Sequence, residues 1–363
     1  MDKTTVGNLC KPYIGQLKLD DNTLIDYFDI ASVDNIEKQI TGYTTYKFAE
    51  APSRARKKVE KGNILVSTVR PNLNAVALFD EETENMPVAS TGFCVLECKA
   101  NTSPRFLFRY LQSQSFVRAM VSQATGASYP AVSDKIVRDT KLPAYSYEEQ
   151  IQIANVLDAT ANIISKRKHQ LQKLDELVKA RFVEFFGDMV YNQNGWKMVN
   201  LGSVCDVRDG THDSPKYFSE GYPLVTSKNV TSGRIDFAGC SLICKEDYDK
   251  INERSRVDFG DILMPMIGTV GKPVIVDVDV DFAIKNVALI KFYENSMVIN
   301  FFVRALLQSD YFDHAVISKI RGGTQKFIAL SDIRKLEIYL PPMDIQKKFA
   351  AFVEQTDKMK AAV

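Results

Sequence analysis

Few residues of this chain stand at spacings that enzyme chemistry requires. The segment 268–273 reads GTVGKP and is similar to the end of a phosphate-binding loop, but the earlier glycine of that loop is missing and Pro273 replaces its Ser or Thr. That hydroxyl is what such a loop offers to magnesium, so the segment indicates a tight turn between strands. The Asn-Pro-Pro-[Phe/Tyr] tetrapeptide and glycine-rich cofactor loop of amino-methyltransferases are also absent. The sequence therefore predicts no active site.

Metal-binding side chains are sparse as well. The six cysteines include no Cys-x-x-Cys pair and the chain has three histidines, so a zinc site is not expected. The cysteines are predicted to be reduced thiols. The sequence has neither an apolar signal region at its N-terminus nor a run of about 18 apolar residues. We therefore predict a cytoplasmic protein that has no membrane partner.

Basic residues form a dense cluster early in the chain. Five cations fall between positions 54 and 61, and the strand-like stretch after them ends at Arg70; the five are Arg54, Arg56, Lys57, Lys58 and Lys61. Such clusters neutralise phosphates and release counterions, although a solvated basic face has the same composition. The formal charge is only +1, so a polyanion-binding surface must come from segregated charge. Arg254 and Arg256 repeat the spacing of Arg54 and Arg56, which favours polyanion binding.

Side chains that can hydrogen-bond to base edges lie on turn-rich stretches. Base reading uses Arg, Asn and Gln in two-bond contacts, with small hydroxyls and aromatics between them. The stretch 210–230 supplies Thr211, His212, Lys216, Ser227, Lys228 and Asn229. A second stretch follows two glycines and supplies Arg321, Thr324, Gln325 and Lys326. The equivalent place early in the chain holds Ser128 and Tyr129.

The chain repeats one pattern twice. VGNLC at 6–10 returns as LGSVC at 201–205, KGNIL at 61–65 as FGDIL at 259–263, and YLQSQSF at 110–116 as LLQSDYF at 306–312. Short β-rich runs bounded by Gly, Pro and Asn predict strands in each copy, and late segments with helical spacing predict helices. Two copies of one mixed domain follow from this order.

Residues 146–187 are predicted to form one long helix. Ser146 and Glu149 have the spacing of a capping box, and no Pro or Gly follows until Gly187, so the helix would be about 60 Å long. Apolar residues recur every 3.5 positions, which is typical of a coiled-coil seam. The counterpart helix, 344–363, is about half as long, and we expect the two to pair antiparallel. The apolar seam positions are Ile153, Leu157, Ile164, Leu171, Leu174, Val178, Phe185, Phe349 and Val353.

Taken together, these stretches closely resemble the specificity subunit of type I restriction-modification systems. The resemblance spans essentially the whole chain and rests on several motifs in the same order: APSRARKKV at 51–59, GNILVSTVRPN at 62–72, GASYPAVSDKIV at 126–137, DGTHDSPKYFSEGYPLVTSKNV at 209–230 and RGGTQKFIALSDI at 321–333. The expected fold is α+β (mixed α/β), with two similar target-recognition domains related by pseudo-two-fold symmetry. Long helices that form an antiparallel coiled coil would separate them. The expected parts are domain 1 at 1–145, helix 1 at 146–187, the linker and domain 2 at 188–343, and helix 2 at 344–363.

The resemblance implies that each domain reads one half of a split sequence in double-stranded DNA, and that the helices set the gap. The chain itself would be non-catalytic and bind no cofactor. Two methyltransferase subunits would bring S-adenosylmethionine and methylate adenine, and restriction (motor-nuclease) subunits would use ATP and Mg. Two alternatives stay open: a coiled-coil scaffold for protein interactions, and the specificity portion detached from a fused methyltransferase-nuclease.

Two features depart from the family pattern. The second helix is shorter than is usual in the family, and the first copy lacks a counterpart of the GTH motif at 210–212. The role implied for His212 is therefore not carried over to the first copy.

Overall fold

A computed structural model describes residues 2–12, 16–230, 233–266, 273–316 and 328–363. The chain divides into two compact units, Met1–Ser165 and Lys166–Val363. This division falls inside the longest helix, Tyr147–Phe186, and not at either of its ends. The boundaries of the functional domains stay a prediction. No helix within the described ranges combines the length and apolar composition that a membrane span needs.

The first unit mixes short strands with helices. Its elements in chain order are β1 (Lys3–Thr5), α1 (Val6–Leu9), β2 (Leu24–Phe28), β3 (Val33–Asp34), β4 (Gln39–Ile40), β5 (Thr44–Lys47), β6 (Ala55–Lys58), β7 (Ile64–Ser67), β8 (Val76–Leu78), β9 (Met86–Ser90), β10 (Phe93–Leu96), α2 (Pro104–Leu111), α3 (Gln114–Val121), α4 (Asp134–Asp139), β11 (Lys141–Pro143) and the start of α5 (Tyr147–Phe186).

Two sheets and two strand pairs, β1–β11 and β3–β4, organise this unit. One sheet has the order β5-β2-β9-β6, in which β2 and β9 run parallel, and the other has the order β10-β7-β8. The pair β1–β11 joins the start of the copy to its end. Buried aromatic side chains such as Phe28, Phe79 and Phe93 fill the space beside the sheets, and Phe116 does so beneath the helices.

The second unit contains the rest of α5 and a similar series of elements. They are β12 (Met198–Asn200), β13 (Cys205–Asp209), β14 (Tyr222–Thr226), β15 (Ser241–Ile243), α6 (Lys245–Ser255), β16 (Ile262–Pro265), β17 (Val274–Ile275), β18 (Ala283–Lys285), β19 (Val287–Phe292), α7 (Asn300–Leu306), α8 (Asp310–Ala315), α9 (Leu330–Arg334), β20 (Glu337–Tyr339) and α10 (Met343–Ala361).

Strand pairing in the second unit repeats most of that in the first. Among the described residues, the β6–β9 ladder of the first unit and the β13–β19 ladder of the second have no equivalent ladder in the other unit. The order β15-β14-β18 matches β5-β2-β9, with the same parallel pair, and β19-β16-β17 matches β10-β7-β8. The pair β12–β20 likewise matches β1–β11. The predicted duplication of a mixed domain is therefore confirmed in the connections between strands.

One buried glutamine in each copy makes the same hydrogen bond, which shows the duplication at the level of atoms. In the first copy, Gln150 accepts a hydrogen bond from Ser103 N at 2.9 Å, at the N-terminus of α2. In the second copy, Gln346 accepts one from Ile299 N at 3.0 Å, at the N-terminus of α7. The first peptide N–H groups of a helix have no partner within it, so each glutamine satisfies one of them and fixes its long helix to the domain.

The long helix α5 starts where the sequence predicts. Ser146 N donates to Glu149 Oε2 at 2.7 Å and Glu149 N donates to Ser146 Oγ at 3.3 Å, which completes the predicted capping box. At the other end, Gly187 has a φ of +74°, a left-handed conformation that favours glycine after a helix.

Within the second unit, α10 packs antiparallel against the C-terminal part of α5. Phe349 lies 5.1 Å from Phe186 and 5.7 Å from Phe182 between ring centroids. Further along α10, Lys360 pairs with Asp175 at 2.7 Å, so contacts move backwards along α5 as they move forwards along α10. The predicted antiparallel helix pairing is present in this unit.

The predicted seam is covered over only part of its length. Leu174, Phe349 and Val353 are buried, and Val178 and Phe185 pack against the same core. Ile153 packs against the core of the first unit. Three seam positions between them, Leu157, Ile164 and Leu171, are instead 43%, 52% and 36% exposed. The shorter α10 faces the part of α5 that begins near Leu174, so an interface role for these three positions stays a prediction.

Candidate nucleic-acid interface

The DGTH segment of the second copy is anchored to the sheet by its backbone. Thr211 N donates to Ile284 O at 3.0 Å, and Asn286 N donates to Thr211 O at 3.2 Å. Gly210 passes so close to β18 that a Cβ at this position would lie 2.2 Å from Ile284 O. Only glycine fits this approach, so the turn has a fixed position at the end of β13.

A polar cluster forms around Asp209 at the end of β13. The Asp209 carboxylate is 7% exposed, and its two oxygens hold two different side chains. Oδ2 lies 2.9 Å from His212 Nε2, and Oδ1 accepts a hydrogen bond from Arg254 Nη2. The other ring nitrogen of His212, Nδ1, lies 2.7 Å from Asn286 Oδ1. The carboxylate thus orients an imidazole and a guanidinium, both of which remain largely exposed to solvent.

The surroundings of His212 favour its charged form. With both ring nitrogens facing oxygen atoms, each nitrogen donates a hydrogen bond when the ring carries two protons. The contact with Asn286, and next that with Asp209, raise the pKa of His212 above its ordinary value of 6.5, while the nearby Arg254 acts in the opposite direction. The cluster therefore presents a guanidinium and an imidazole that is charged below its raised pKa, both over one buried carboxylate, a composition suited to a phosphate or to base acceptors.

The remaining predicted residues of this loop region divide into exposed side chains and anchors. Lys216 and Lys228 are exposed. Ser227 Oγ donates to Asn286 O at 3.1 Å, and Thr211 Oγ1 accepts from Asp213 N at 3.1 Å, so these hydroxyls hold the turn.

Asn229 is buried, in contrast to the prediction that it reads bases. Its Oδ1 accepts from Thr226 N at 2.9 Å and its Nδ2 donates to Asp236 O at 3.1 Å. With 6% of its surface exposed, the amide is used inside the domain. The prediction of a base-reading role is therefore wrong for Asn229 in this conformation.

In the first copy, two predicted residues that are far apart in sequence meet on the surface. The Arg70 guanidinium carbon lies 4.9 Å from the centre of the Tyr129 ring, a cation–π distance, and Tyr129 is 68% exposed. Arg70 has left-handed backbone angles, φ 48° and ψ 60°, just before Pro71. Such angles are costly for a residue with a side chain and concentrate at functional sites.

The loop that carries Ser128 and Tyr129 is closed at its base. Thr125 and Ala131 exchange backbone hydrogen bonds of 3.0 and 2.9 Å, and Arg70 N donates to Pro130 O at 2.7 Å. Gly126 has a φ of +101°, and a Cβ there would lie 2.9 Å from Tyr129 O. The loop therefore projects two exposed side chains, Ser128 and Tyr129, beside Arg70.

The basic cluster at 54–61 has fewer side chains free to contact phosphates than its composition suggests. Arg54 is exposed, whereas the Arg56 guanidinium carbon lies 4.6 Å from the centre of the Phe48 ring. Lys58 pairs with Glu60, and Lys61 with Asp80. These exposed ion pairs are weak, so both lysines can still exchange their partner for a phosphate.

Lys57 does not belong to an exposed basic surface, and the prediction that it contacts DNA is wrong in this conformation. Its Nζ donates to Phe93 O and to Asp134 Oδ2, both at 2.6 Å, and the residue is 6% exposed. The reason is strand geometry, because a register shift in the β6–β9 ladder follows Ala55 and places Lys57 opposite the buried Ala89. Val59, two residues further on, packs in the same core as Ala89 and Phe93.

The repeat of Arg54 and Arg56 as Arg254 and Arg256 does not extend to local structure. The first pair lies at the start of a strand, whereas Arg254 ends helix α6 and Arg256 follows it. Arg254 bonds to Asp209, and Arg256 Nε lies 3.3 Å from Asp258 Oδ1. The matched spacing is therefore coincidental, although all four side chains are at least partly exposed.

Four predicted residues lie outside the described residues, namely Arg321, Thr324, Gln325 and Lys326.

Two functional candidates were missed from the sequence, Asp209 and Asn286. Asp209 directly precedes the GTH motif, and Asn286 separates two strands with a φ of 55°, a conformation that Asn adopts more readily than most residues. The adjacent GTH motif was therefore the available signal for Asp209, and the break between two strands was the signal for Asn286.

Comparison with known proteins identifies the family. A model of the type I restriction modification DNA specificity domain matches residues 6–176 and again residues 193–362. The specificity subunit of type I restriction enzyme MjaIX from Methanocaldococcus jannaschii is 24% identical over 321 residues, which are 81% of this chain and 70% of the relative. The MjaVIII specificity subunit from the same organism is 27% identical over 274 residues, covering 70% of this chain and 63% of the relative.

Solved structures share the fold. The type I restriction-modification S subunit from M. genitalium superimposes with a TM-score of 0.56 at 14% identity, covering 99% of this chain and 90% of that one. A chain from a structural study of complex assembly in the type I R-M system gives 0.53 at 24% identity, with 99% and 91% covered. Two specificity domains in one chain fit recognition of a two-part DNA target. Because the two family matches cover most of its 363 residues, this chain belongs to the type I restriction modification DNA specificity family and carries the family's domain twice.

Proposed function

We propose that this chain recognises a bipartite sequence in double-stranded DNA, with one domain for each half. The observation that carries the proposal is the duplicated specificity domain, which shares most of its strand pairings between the two units. Each copy presents a pair of exposed side chains whose backbone is fixed by the surrounding loop or helix. These are Arg70 and Tyr129 in the first copy and His212 and Arg254 in the second.

The long helix α5 is proposed to set the distance between the halves of the target. Its 40 residues correspond to about 60 Å at 1.5 Å per residue. That length is about one and a half to two turns of duplex DNA, each about 34–36 Å. An uninterrupted helix suits this role because it keeps a constant length.

The chemistry on DNA is proposed to belong to partner subunits. Two methyltransferase subunits would bind S-adenosylmethionine and methylate adenine, and restriction subunits would use ATP and Mg. Support comes from the relatives, which are named specificity subunits of type I restriction enzymes, and from a related chain studied in complex assembly. This chain would bind no cofactor and catalyse no step.

A methyltransferase subunit is proposed to dock on the exposed apolar face of α5. The exposed apolar side chains of this helix include five that recur at seven-residue spacing and are between 36% and 66% exposed, namely Val156, Leu157, Ile163, Ile164 and Leu171. Replacing Leu157 and Ile164 together by Asp should weaken methyltransferase binding in a pull-down, whereas Asn162→Asp, an exposed change on the same helix, should not. Equal binding by both variants would place the docking surface elsewhere.

Selection from randomised duplex DNA tests the central proposal. The chain is mixed with a methyltransferase partner, bound DNA is recovered from a mobility-shift gel, and the recovered sequences are aligned. We expect two short motifs separated by a spacer of fixed length. Recovery of no split motif would defeat DNA recognition. Binding that ignores DNA and salt but requires Leu157 and Ile164 would favour the scaffold alternative.

Single substitutions can distinguish residues that contact phosphates and position the protein from residues that read bases. Arg70→Ala should weaken binding to every sequence and lower the dependence of log K on log salt by about one, if Arg70 neutralises one phosphate. His212→Ala should instead change the preferred bases in one half-site, with about 1–3 kcal/mol lost at the affected position. The two variants behaving alike would overturn this division.

A further inference from the structure

Two cysteines of the first copy face each other across an antiparallel bridge. Cys10 pairs with Cys98, which lies just beyond β10. Lys11 N donates to Glu97 O at 2.8 Å and Lys99 N donates to Leu9 O at 3.0 Å. Because these bonds flank the two cysteines, the cysteines form a non-hydrogen-bonded pair, in which Cα atoms are about 4.5 Å apart and side chains are closest. Disulfides span Cα distances of about 4.4–6.8 Å, so the backbone needs little movement to accept one.

The two thiols also interact with each other and with nearby cations. The hydrogen bond from Cys98 lowers the pKa of the Cys10 thiol, and Arg138 and Lys99 act in the same direction. The same contact raises the pKa of Cys98. Cys10 is 1% exposed, whereas Cys98 is partly exposed. Cys10 is therefore the more acidic of the two thiols, and Cys98 is the one that solvent reaches.

We propose that Cys10 and Cys98 are a redox-sensitive pair that closes to a disulfide on exposure to hydrogen peroxide. One of the two sulfurs attacks one peroxide oxygen as its thiolate, the O–O bond breaks, and a sulfenic acid and hydroxide form. The other sulfur then displaces hydroxide from the sulfenic sulfur, which makes the S–S bond. In total two thiols lose two electrons and two protons, and one hydrogen peroxide becomes two waters. Thiol reductants reverse the step.

The second copy lacks this pair at the matching place. Cys205, the counterpart of Cys10, is paired in register with Phe292 across the β13–β19 ladder. Burial raises the pKa of Cys205 to about 12, as it does for Cys94 in the first copy. The disulfide would therefore tie the N-terminal segment to the end of β10 in one copy only, and stabilise that copy without touching the other.

Alkylation and peptide mapping of the full chain test the proposal. Reduced protein is treated with hydrogen peroxide, and remaining thiols are blocked with iodoacetamide under denaturing conditions. We expect six alkylated cysteines before peroxide and four after it, and six again when dithiothreitol precedes the block. Cleavage after Glu97 separates Cys94 from Cys98, so the linked peptides identify the pair. The first copy should also unfold about 5–10 °C higher when oxidised.

Matched variants complete the test. In Cys98→Ser, all five remaining cysteines should still be alkylated after peroxide. In Cys205→Ser, two of the five remaining cysteines should no longer be alkylated after peroxide. If a variant folds poorly, the peptide mapping of the wild-type chain is sufficient to test the proposal. Six open thiols after peroxide, a bond between any other two cysteines, or oxidation of Cys10 or Cys98 to sulfinic acid without a crosslink would overturn the proposal. None of these outcomes depends on DNA binding, so the proposed function is tested separately.

Discussion

The two copies keep one scaffold and change the chemistry displayed on it. Both have the same parallel strand pair and a buried glutamine at the start of the long helix. On the exposed surface, however, Arg70 stacks on Tyr129 in the first copy, whereas Asp209 holds His212 and Arg254 in the second. Buried contacts thus maintain the fold, and the exposed side chains are available to differ between two DNA half-sites.

A second contrast lies along the long helices. The second copy buries Phe349 completely, whereas its counterpart in the first copy, Ile153, is only partly buried. Helix attachment is therefore expected to be stronger in the second copy.

Phe349→Ala should have the largest effect. It removes a ring in contact with Phe182, Phe185 and Phe186 and should lower the free energy of unfolding of the second unit by about 3–5 kcal/mol. Ile153→Ala should cost the first unit about 1–2 kcal/mol, because less surface is buried there. Urea unfolding followed by fluorescence of Trp196, the one tryptophan of the chain, reports on the second unit, and hydrogen exchange reports on the first.

Phe259→Ala is the matched control for this comparison, since Phe259 is 77% exposed and should change stability little. Equal losses for Phe349→Ala and Ile153→Ala would remove the contrast between the helices.

Replacing the shared glutamines should give the next largest effect. Gln346 makes hydrogen bonds with three backbone groups and Gln150 with two, so alanine leaves buried groups unpaired at about 1–3 kcal/mol each. We expect losses of about 2–4 kcal/mol in each unit, with the greater loss for Gln346→Ala. Hydrogen exchange of α2 and α7 amides measures the two effects separately.

The controls are Gln152→Ala and Gln355→Ala, which alter exposed residues of the same helices and should be nearly neutral. An effect in one unit and none in the other would break the equivalence of the two copies.

Gly210→Ala should destabilise the second copy by about 1–3 kcal/mol, because the new Cβ would meet Ile284 O at 2.2 Å and force the turn away from β18. Gly239→Ala is the control, since its Cβ would have only ordinary contacts, the nearest at 3.8 Å from Asn229 Nδ2. Unfolding followed by Trp196 fluorescence compares the two. A neutral Gly210→Ala would mean that the turn is not fixed as described.

The smallest effect is a pH dependence confined to the second copy. The pKa of His212 is raised, so the stabilisation from its charged form is complete below pH 6.5 and is lost as pH rises through the higher, folded-state pKa. Histidine-selective NMR titration should give a His212 pKa above 6.5, and Asp209→Asn should lower it. Asp213→Asn, an exposed neighbouring change, should leave most of the elevation. A pKa of 6.5 or below in the unaltered chain would contradict the cluster geometry.

Sequence patterns predicted what depends on periodicity and repetition. The duplication, the start of α5 and its antiparallel pairing with α10 followed from echoed motifs, a capping box and a 3.5-residue repeat. The extent of that pairing did not follow, because it depends on which part of α5 a shorter helix faces.

The candidate site was predicted less completely, for a physical reason. Composition marked Lys57 and Asn229 as binding residues, yet both are buried hydrogen-bonding partners. Lys57 follows a register shift between Ala55 and Lys57 in the β6–β9 ladder, and such an irregularity is not visible in composition. Asp209 and Asn286 are brought together by strand pairing over 77 positions, which a local pattern does not encode.

Strands β1 and β11 of the first copy, and β12 and β20 of the second, place the entry and exit of each domain side by side. A domain whose two ends are neighbours can be exchanged for a variant with other loops, while the chain on either side keeps its path. Recombination at two short, adjacent strands would then be enough to give a descendant of this protein a new half-target in one step.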